Sequence, residues 1–163
     1  MKKLLLFIPL FIVLSTSFSQ PIRDSRITSI TSEYRYEEFP MDFLVNSMIY
    51  VESKWDSTAI GDGGRAVGVL QIHKIMVREV NRITHMRGGD STIYYYDDRY
   101  SVKKSIEMFH IWRNYYHPNS SYETIARCWN GGPRGNNCIQ TKRYWYKVRE
   151  ELNGIIYYNL TDI

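Results

Sequence analysis

A glycine-rich run from Ser57 to Gly68, centred on Gly61-Asp62-Gly63-Gly64, sits between two stretches of helical periodicity. It constrains the fold more than any other feature. Glycine and aspartate favour turns and left-handed backbone, so no continuous helix can pass through this stretch. On its N-terminal side, Leu44, Met48 and Val51/Glu52 recur at helical spacing, with Pro40 suited to a first turn and Asp42 placed where the helix dipole favours an acid. On its C-terminal side, Ile72 to Ile83 reads as a second helix. Val102, Ile106, Phe109, Arg113 and Tyr116 mark a third helix that ends near Pro118. Ser120 and Glu123 form a capping box for a short helix through Ile125, Ala126 and Trp129, and Tyr144, Val148 and Leu152 mark a last one. The expectation is an α+β domain, predominantly α, in which the glycine-rich run builds one small irregular or β lobe.

Gly61-x-Gly63-x-x-Ala66 has the outline of a dinucleotide-binding turn, but it follows a helix rather than a strand and no βαβ pattern surrounds it, so that reading is rejected. The four histidines, His73, His85, His110 and His117, show no zinc-ligand spacing, and no metal or cofactor is expected.

The 163 residues suit one domain with a single core. Residues 1–20 read as a secretory signal: Lys2-Lys3, an apolar stretch from Leu4 to Leu14, and Ser17-Phe18-Ser19 as a small-x-small cleavage site. An uncleaved anchor is the alternative, although the apolar run falls short of the roughly 20 residues a membrane-spanning helix needs. An exported protein, periplasmic or extracellular, with no stable membrane span after cleavage is therefore expected. Residues 21–40 read as an N-terminal arm or linker, 41–152 as the domain, and 153–163 as a C-terminal tail. There are 21 Lys+Arg against 17 Asp+Glu, and 19 against 17 without Lys2 and Lys3. So mild an excess, with no basic stripe, argues against a nucleic-acid partner. Cys128 and Cys138 bracket a loop-rich run, and in an oxidising compartment they could pair; two reduced thiols are the other reading.

Glu52 falls on the apolar stripe of its helix, one turn beyond Met48. A carboxyl in such a place is either ion-paired with a buried arginine or held protonated by desolvation as a proton donor. Gly68-Val69-Leu70-Gln71-Ile72 then places a glutamine after a glycine turn, where its amide could bond a polar substrate.

These residues carry a resemblance. Glu52-Ser53 followed by Ala59, then Gly68-Val69-Leu70-Gln71-Ile72, then Ala126-Arg127-Cys128-Trp129-Asn130-Gly131-Gly132-Pro133, then Thr141-x-x-Tyr144 running into Val148, resemble the four ordered blocks of the soluble lytic transglycosylase catalytic domain, in the lysozyme-like superfamily. The resemblance spans roughly residues 41–152. It departs from the family at Trp129, where a tyrosine is usual, and at His73-Lys74, in place of Met-Pro. A serine usual between the first two blocks has no clear counterpart, and Gly61 or Asp62 occupies its place. The resemblance implies a lysozyme-like fold and cleavage of the β-1,4 bond from N-acetylmuramic acid to N-acetylglucosamine in peptidoglycan glycan strands. It makes Glu52 the single general acid/base, with Ser53, Gln71, Trp129, Asn130 and Tyr144 around the substrate. Asp62 is the candidate second acid of a hydrolytic alternative, with a turn residue as its default role. A catalytically inactive wall-binding domain is the remaining alternative.

Overall fold

The structure is a computed structural model that describes residues 35–161 except 87 and 89–92. The expected signal segment and most of the N-terminal arm lie outside the described residues. The described chain is predominantly α-helical with one small antiparallel sheet. Its helices are α1 (Met41–Ser53), α2 (Lys74–Met86), α3 (Val102–Tyr116), α4 (Tyr122–Gly131) and α5 (Ile139–Thr161). Between α1 and α2 lie three two-residue strands, β1 (Ile60–Gly61), β2 (Ala66–Val67) and β3 (Ile72–His73), in the order β1-β2-β3. The expected fold class is what the structure has.

The core forms where the helical stripes meet. Leu44, Met48 and Ile49 of α1, Met108 and Phe109 of α3, Ile125 of α4, and Val148, Leu152 and Ile156 of α5 are all fully buried. Each such side chain stabilises the fold by roughly 1.5–3 kcal/mol through removal of apolar surface from water. α5 packs along both α1 and α4, and α2 along α3.

The boundaries differ from the sequence expectation in four places. Ile72 and His73 begin no helix: they pair with Val67 and Ala66 as the third strand. The α4 cap is Ser121 rather than Ser120, its side chain accepting from the Thr124 N–H. Residues 153–161 are not a tail, because α5 continues through them on the strength of buried Ile156 and partly buried Leu160. The end of the 21–40 arm is docked: Tyr36 meets Trp145 edge-on at 5.7 Å, Glu37 accepts from the Tyr122 N–H, and the Tyr122 hydroxyl donates to the Phe39 carbonyl at 2.6 Å.

Cys128 and Cys138 are free thiols, the second of the two readings that the sequence left open. The loop they bracket is closed without a covalent bond. The buried Arg127 guanidinium donates to the carbonyls of Asn136 at 2.5 Å and Cys138 at 3.2 Å, and to Thr141 Oγ1 at 3.2 Å. Gly135 lies against the α4 backbone so closely that a Cβ there would fall 2.0 Å from the Arg127 carbonyl oxygen. Cys128 itself faces the core from α4, which keeps its sulfur committed to packing.

Candidate active site

The small lobe is stitched from turns. The sheet registers Ile60 with Val67, Gly61 with Ala66, and Ala66 with His73. Strands of two residues do not hold themselves together, and the missing stability comes from one buried side chain that the sequence reading did not single out. Arg99, 4% exposed, donates from Nε to the Tyr96 carbonyl at 2.6 Å and from Nη1 to the carbonyls of Ile72 at 3.0 Å and Arg65 at 3.3 Å. Its own carbonyl accepts from Ser105 Oγ of α3. Gly68, at φ +77°, comes so close to this carbonyl that a Cβ would stand 1.8 Å from the oxygen. One arginine thus fastens the lobe to the helical body, and the only residue that fits at the point of contact is glycine.

Four non-glycine residues hold positive φ: Lys54, Trp55, Asp62 and Gln71. Lys54 and Trp55 lie where the chain leaves α1 for the lobe, and Asp62 and Gln71 lie within it. Such backbone costs of the order of 1–3 kcal/mol per residue and persists where surrounding contacts over-determine it, as happens at functional sites.

A pocket of about 370 Å³ opens between the end of α1, the lobe and the end of α4. Glu52, Asp62, Gln71, Trp129 and Asn130 all line it, so four separated sequence blocks converge on one cavity. His73 lines it too and was not foreseen, because an isolated histidine without metal spacing carries no sequence signal.

Glu52 is half-buried, and among the described residues no arginine or lysine pairs with it; Arg99 and Arg127 are committed to carbonyls, Thr141 and Glu123. The buried-ion-pair reading therefore fails. Loss of hydration pushes the Glu52 carboxyl up to about 7, with a smaller opposing pull from the Tyr144 hydroxyl. Tyr144 projects from α5 behind Glu52. Its hydroxyl is buried and makes no hydrogen bond of ordinary geometry among the described residues, so it acts on Glu52 through its dipole. Burial, and then the Glu52 charge, push the Tyr144 hydroxyl well above its ordinary range, so it stays protonated.

The other expected groups are placed as follows. Gln71 lines the pocket, but its amide Nε2 is turned inward, donating to the carbonyls of Gly68 at 3.0 Å and Ala59 at 3.3 Å. Its Oε1 fills the space where a Cβ of Gly61 would be. Ser53 does not line the cavity. Its Oγ donates to the Val69 carbonyl at 3.0 Å and ties the end of α1 to the turn before β3. Trp129 forms a wall, its indole N–H donating to the Leu70 carbonyl at 3.3 Å and its ring standing edge-on to Phe109 and Trp112. Asn130 is exposed at the mouth. Cys128 lines a separate apolar pocket on the other side of Trp129, with Trp112 and Pro133. Asp62 is held at both oxygens: Arg65 Nη2 lies 2.6 Å from Oδ1 and His73 Nε2 lies 3.4 Å from Oδ2.

Chemically, the site offers one carboxyl able to give and take a proton near neutral pH, an aromatic wall, and polar groups spread around a cleft open to solvent. Compared with protein-family models, curated proteins and solved structures, the chain matches none.

Proposed function

We propose that this protein is a peptidoglycan lytic transglycosylase that cleaves the β-1,4 bond between N-acetylmuramic acid and N-acetylglucosamine, with Glu52 as its single general acid/base. The observation that carries this reading is Glu52 itself: a carboxyl without a cationic partner among the described residues, pushed up to about 7 by burial, in a polar cleft walled by Trp129. A group with that affinity is substantially protonated at neutral pH, so it can deliver a proton to the glycosidic oxygen as the bond breaks. The resulting carboxylate then accepts the proton of the muramic 6-hydroxyl as that oxygen closes on C1. The product is a 1,6-anhydro end, no water is consumed, and Glu52 finishes protonated as it began, its first proton now on the leaving sugar and its new one taken from the 6-hydroxyl. A second carboxylate of the kind most glycosidases use is not required. Tyr144 supports the cycle by keeping a neutral O–H dipole behind the carboxyl in both states. Gln71 and Ser53 support it by fixing the turn between β2 and β3 against α1, and Trp129 and Asn130 are the groups that would face sugar.

A hydrolytic muramidase is the second reading, favoured by one observation: Asp62 lines the same cavity as Glu52. Against it, one Asp62 oxygen is bound by Arg65 at 2.6 Å and the other faces His73 at 3.4 Å. Mass analysis of digested peptidoglycan separates the two. Anhydro-ended muropeptides, one water lighter than reducing-end products, are expected; predominantly reducing-end products would replace the first reading by the second. Glu52→Gln should lower turnover by at least about a thousandfold, as loss of a general acid with no substitute does. A variant that clears cell wall at the wild-type rate would refute the catalytic assignment.

A further inference from the structure

His73 enters the Glu52 cavity from β3, and Asp62 reaches it from the turn that follows β1. The two residues sit on different segments of the lobe and meet because the sheet registers Ala66 opposite His73 and Gly61 opposite Ala66. Both are partly open to the cleft, at 43% and 45% side-chain exposure. Asp62 holds its place on strained backbone, φ +47°, and is anchored from behind by Arg65, which bonds both its carboxylate and its carbonyl oxygen. A carboxylate clamped by an arginine on one oxygen and facing an imidazole with the other is arranged to orient that ring. It is not arranged to draw a water toward the reacting carbon. Asp62 meets Nε2, which favours the tautomer with its proton there and leaves Nδ1 as an acceptor for a ligand. At 3.4 Å the contact is longer than a full hydrogen bond, so the ring keeps some freedom to adjust to what binds.

We propose that His73 is a substrate-binding residue of this cavity, taking hydrogen bonds from the hydroxyl or acetamido groups of an N-acetylated sugar, and that Asp62 is a positioning residue that acts only through it. The proposal rests on the glycan-cleaving reading of the Glu52 site, and it changes the role that Asp62 has in the hydrolytic alternative. Gln71 sharpens the need for such a group. Its amide nitrogen is turned into the lobe, so the Gln71 donors that would otherwise meet the substrate from this side are already used. His73 is the nearest residue in sequence with ring nitrogens still available to the cavity.

The test is a double-mutant cycle with two readouts. Steady-state cleavage of purified glycan strands is compared for wild type, Asp62→Asn, His73→Ala, His73→Asn and the Asp62→Asn/His73→Ala pair. Asparagine tolerates the left-handed backbone at 62, and His73→Asn retains polar atoms near the Nδ1 position, so both variants guard against mere misfolding. In parallel, chitotetraose binding is measured by calorimetry on Glu52→Gln protein with and without His73→Ala. The expected result is that His73→Ala raises KM by about three- to tenfold with kcat changed less than about threefold, the size that loss of one or two hydrogen bonds gives. Asp62→Asn should do the same more weakly, the pair should be no worse than His73→Ala alone, and His73→Asn should recover part of the loss. Binding to the Glu52→Gln protein should weaken in step. An Asp62→Asn protein that loses kcat a hundredfold while His73→Ala does not would overturn the proposal in favour of a directly catalytic aspartate. Additive effects in the cycle, or unchanged KM and binding in His73→Ala, would also overturn it while leaving the Glu52 assignment standing. Conversely, a protein that cleaves no strand yet loses chitotetraose affinity on His73→Ala would retain this sugar-binding role and lose the catalytic reading.

Discussion

At the scale of single residues, Glu52 ties function to instability. A carboxyl that titrates near 7 in the folded chain and near 4.5 when unfolded binds its proton more tightly in the folded state. Its effect on stability is therefore absent below about pH 4.5, grows as a penalty while pH rises toward 7, and is complete above that. The gap corresponds to on the order of 3 kcal/mol, since each decade of proton affinity is worth about 1.4 kcal/mol. Glu52→Gln should thus unfold at higher denaturant than wild type at pH 8, by roughly 2–3 kcal/mol, and match it closely at pH 4. Equal stability of the two proteins at both pH values would mean that the carboxyl is not desolvated. The position of this group was legible in the sequence, because an acid on an apolar helical stripe violates the pattern around it. His73 was not legible, since its significance depends on a strand register that brings it opposite Ala66. Gln71 was legible as a residue of the site, but the direction of its amide depends on the carbonyls of Ala59 and Gly68 converging on it, which no local pattern encodes.

At the scale of elements, the helices were legible and the lobe was legible only as an interruption. Helical stripes repeat over ten or more residues and so survive noise; a strand of two residues has no period to detect. Ile72 illustrates this, since an apolar residue ahead of a helical run reads equally well as its first turn. The segment read as a C-terminal tail from 153 is helical instead: Gly154 lies inside α5, where the 152, 156, 160 spacing of Leu, Ile and Leu outweighs the roughly 1 kcal/mol penalty of a helical glycine. The lobe's dependence on Arg99 was hidden because its partners are backbone carbonyls of Arg65, Ile72 and Tyr96, which any sequence possesses. Arg99→Met should cost roughly 2–4 kcal/mol in urea denaturation, because three carbonyls lose a charged donor inside the protein. Activity should fall along with backbone hydrogen-exchange protection in β2 and β3, while α1 keeps its protection. Uniform loss across all elements would show that Arg99 supports the whole domain rather than the lobe.

At the scale of the whole molecule, the helical body is closed by a segment that composition alone assigns to a linker. Residues 35–39 are polar and charged, yet Tyr36 packs on Trp145, its hydroxyl donates to Asn153 at 3.0 Å, and Glu37 meets the first N–H of α4. The link joins the start of α1 to α4 and α5, the two helices that carry Trp129, Asn130 and Tyr144. Removing the chain through Phe39 should destabilise the protein by roughly 2–4 kcal/mol, read as a fall in Tm of about 5–12 °C. A truncated protein with unchanged Tm would show the segment to be dispensable. Among the described residues no helix is long and apolar enough to cross a membrane.

Trp129 stands between two cavities, with Glu52 on one side and the apolar pocket of Trp112, Cys128 and Pro133 on the other. Its indole is anchored to the Leu70 carbonyl and stands 5.1 Å from Trp112. A chromophore fixed in that wall feels the change in dielectric whenever a ligand replaces water on the Glu52 side, and it can pass excitation to its neighbour on the other. The protein therefore carries a built-in optical reporter of occupancy, readable as a change in intrinsic emission without label or coupled assay.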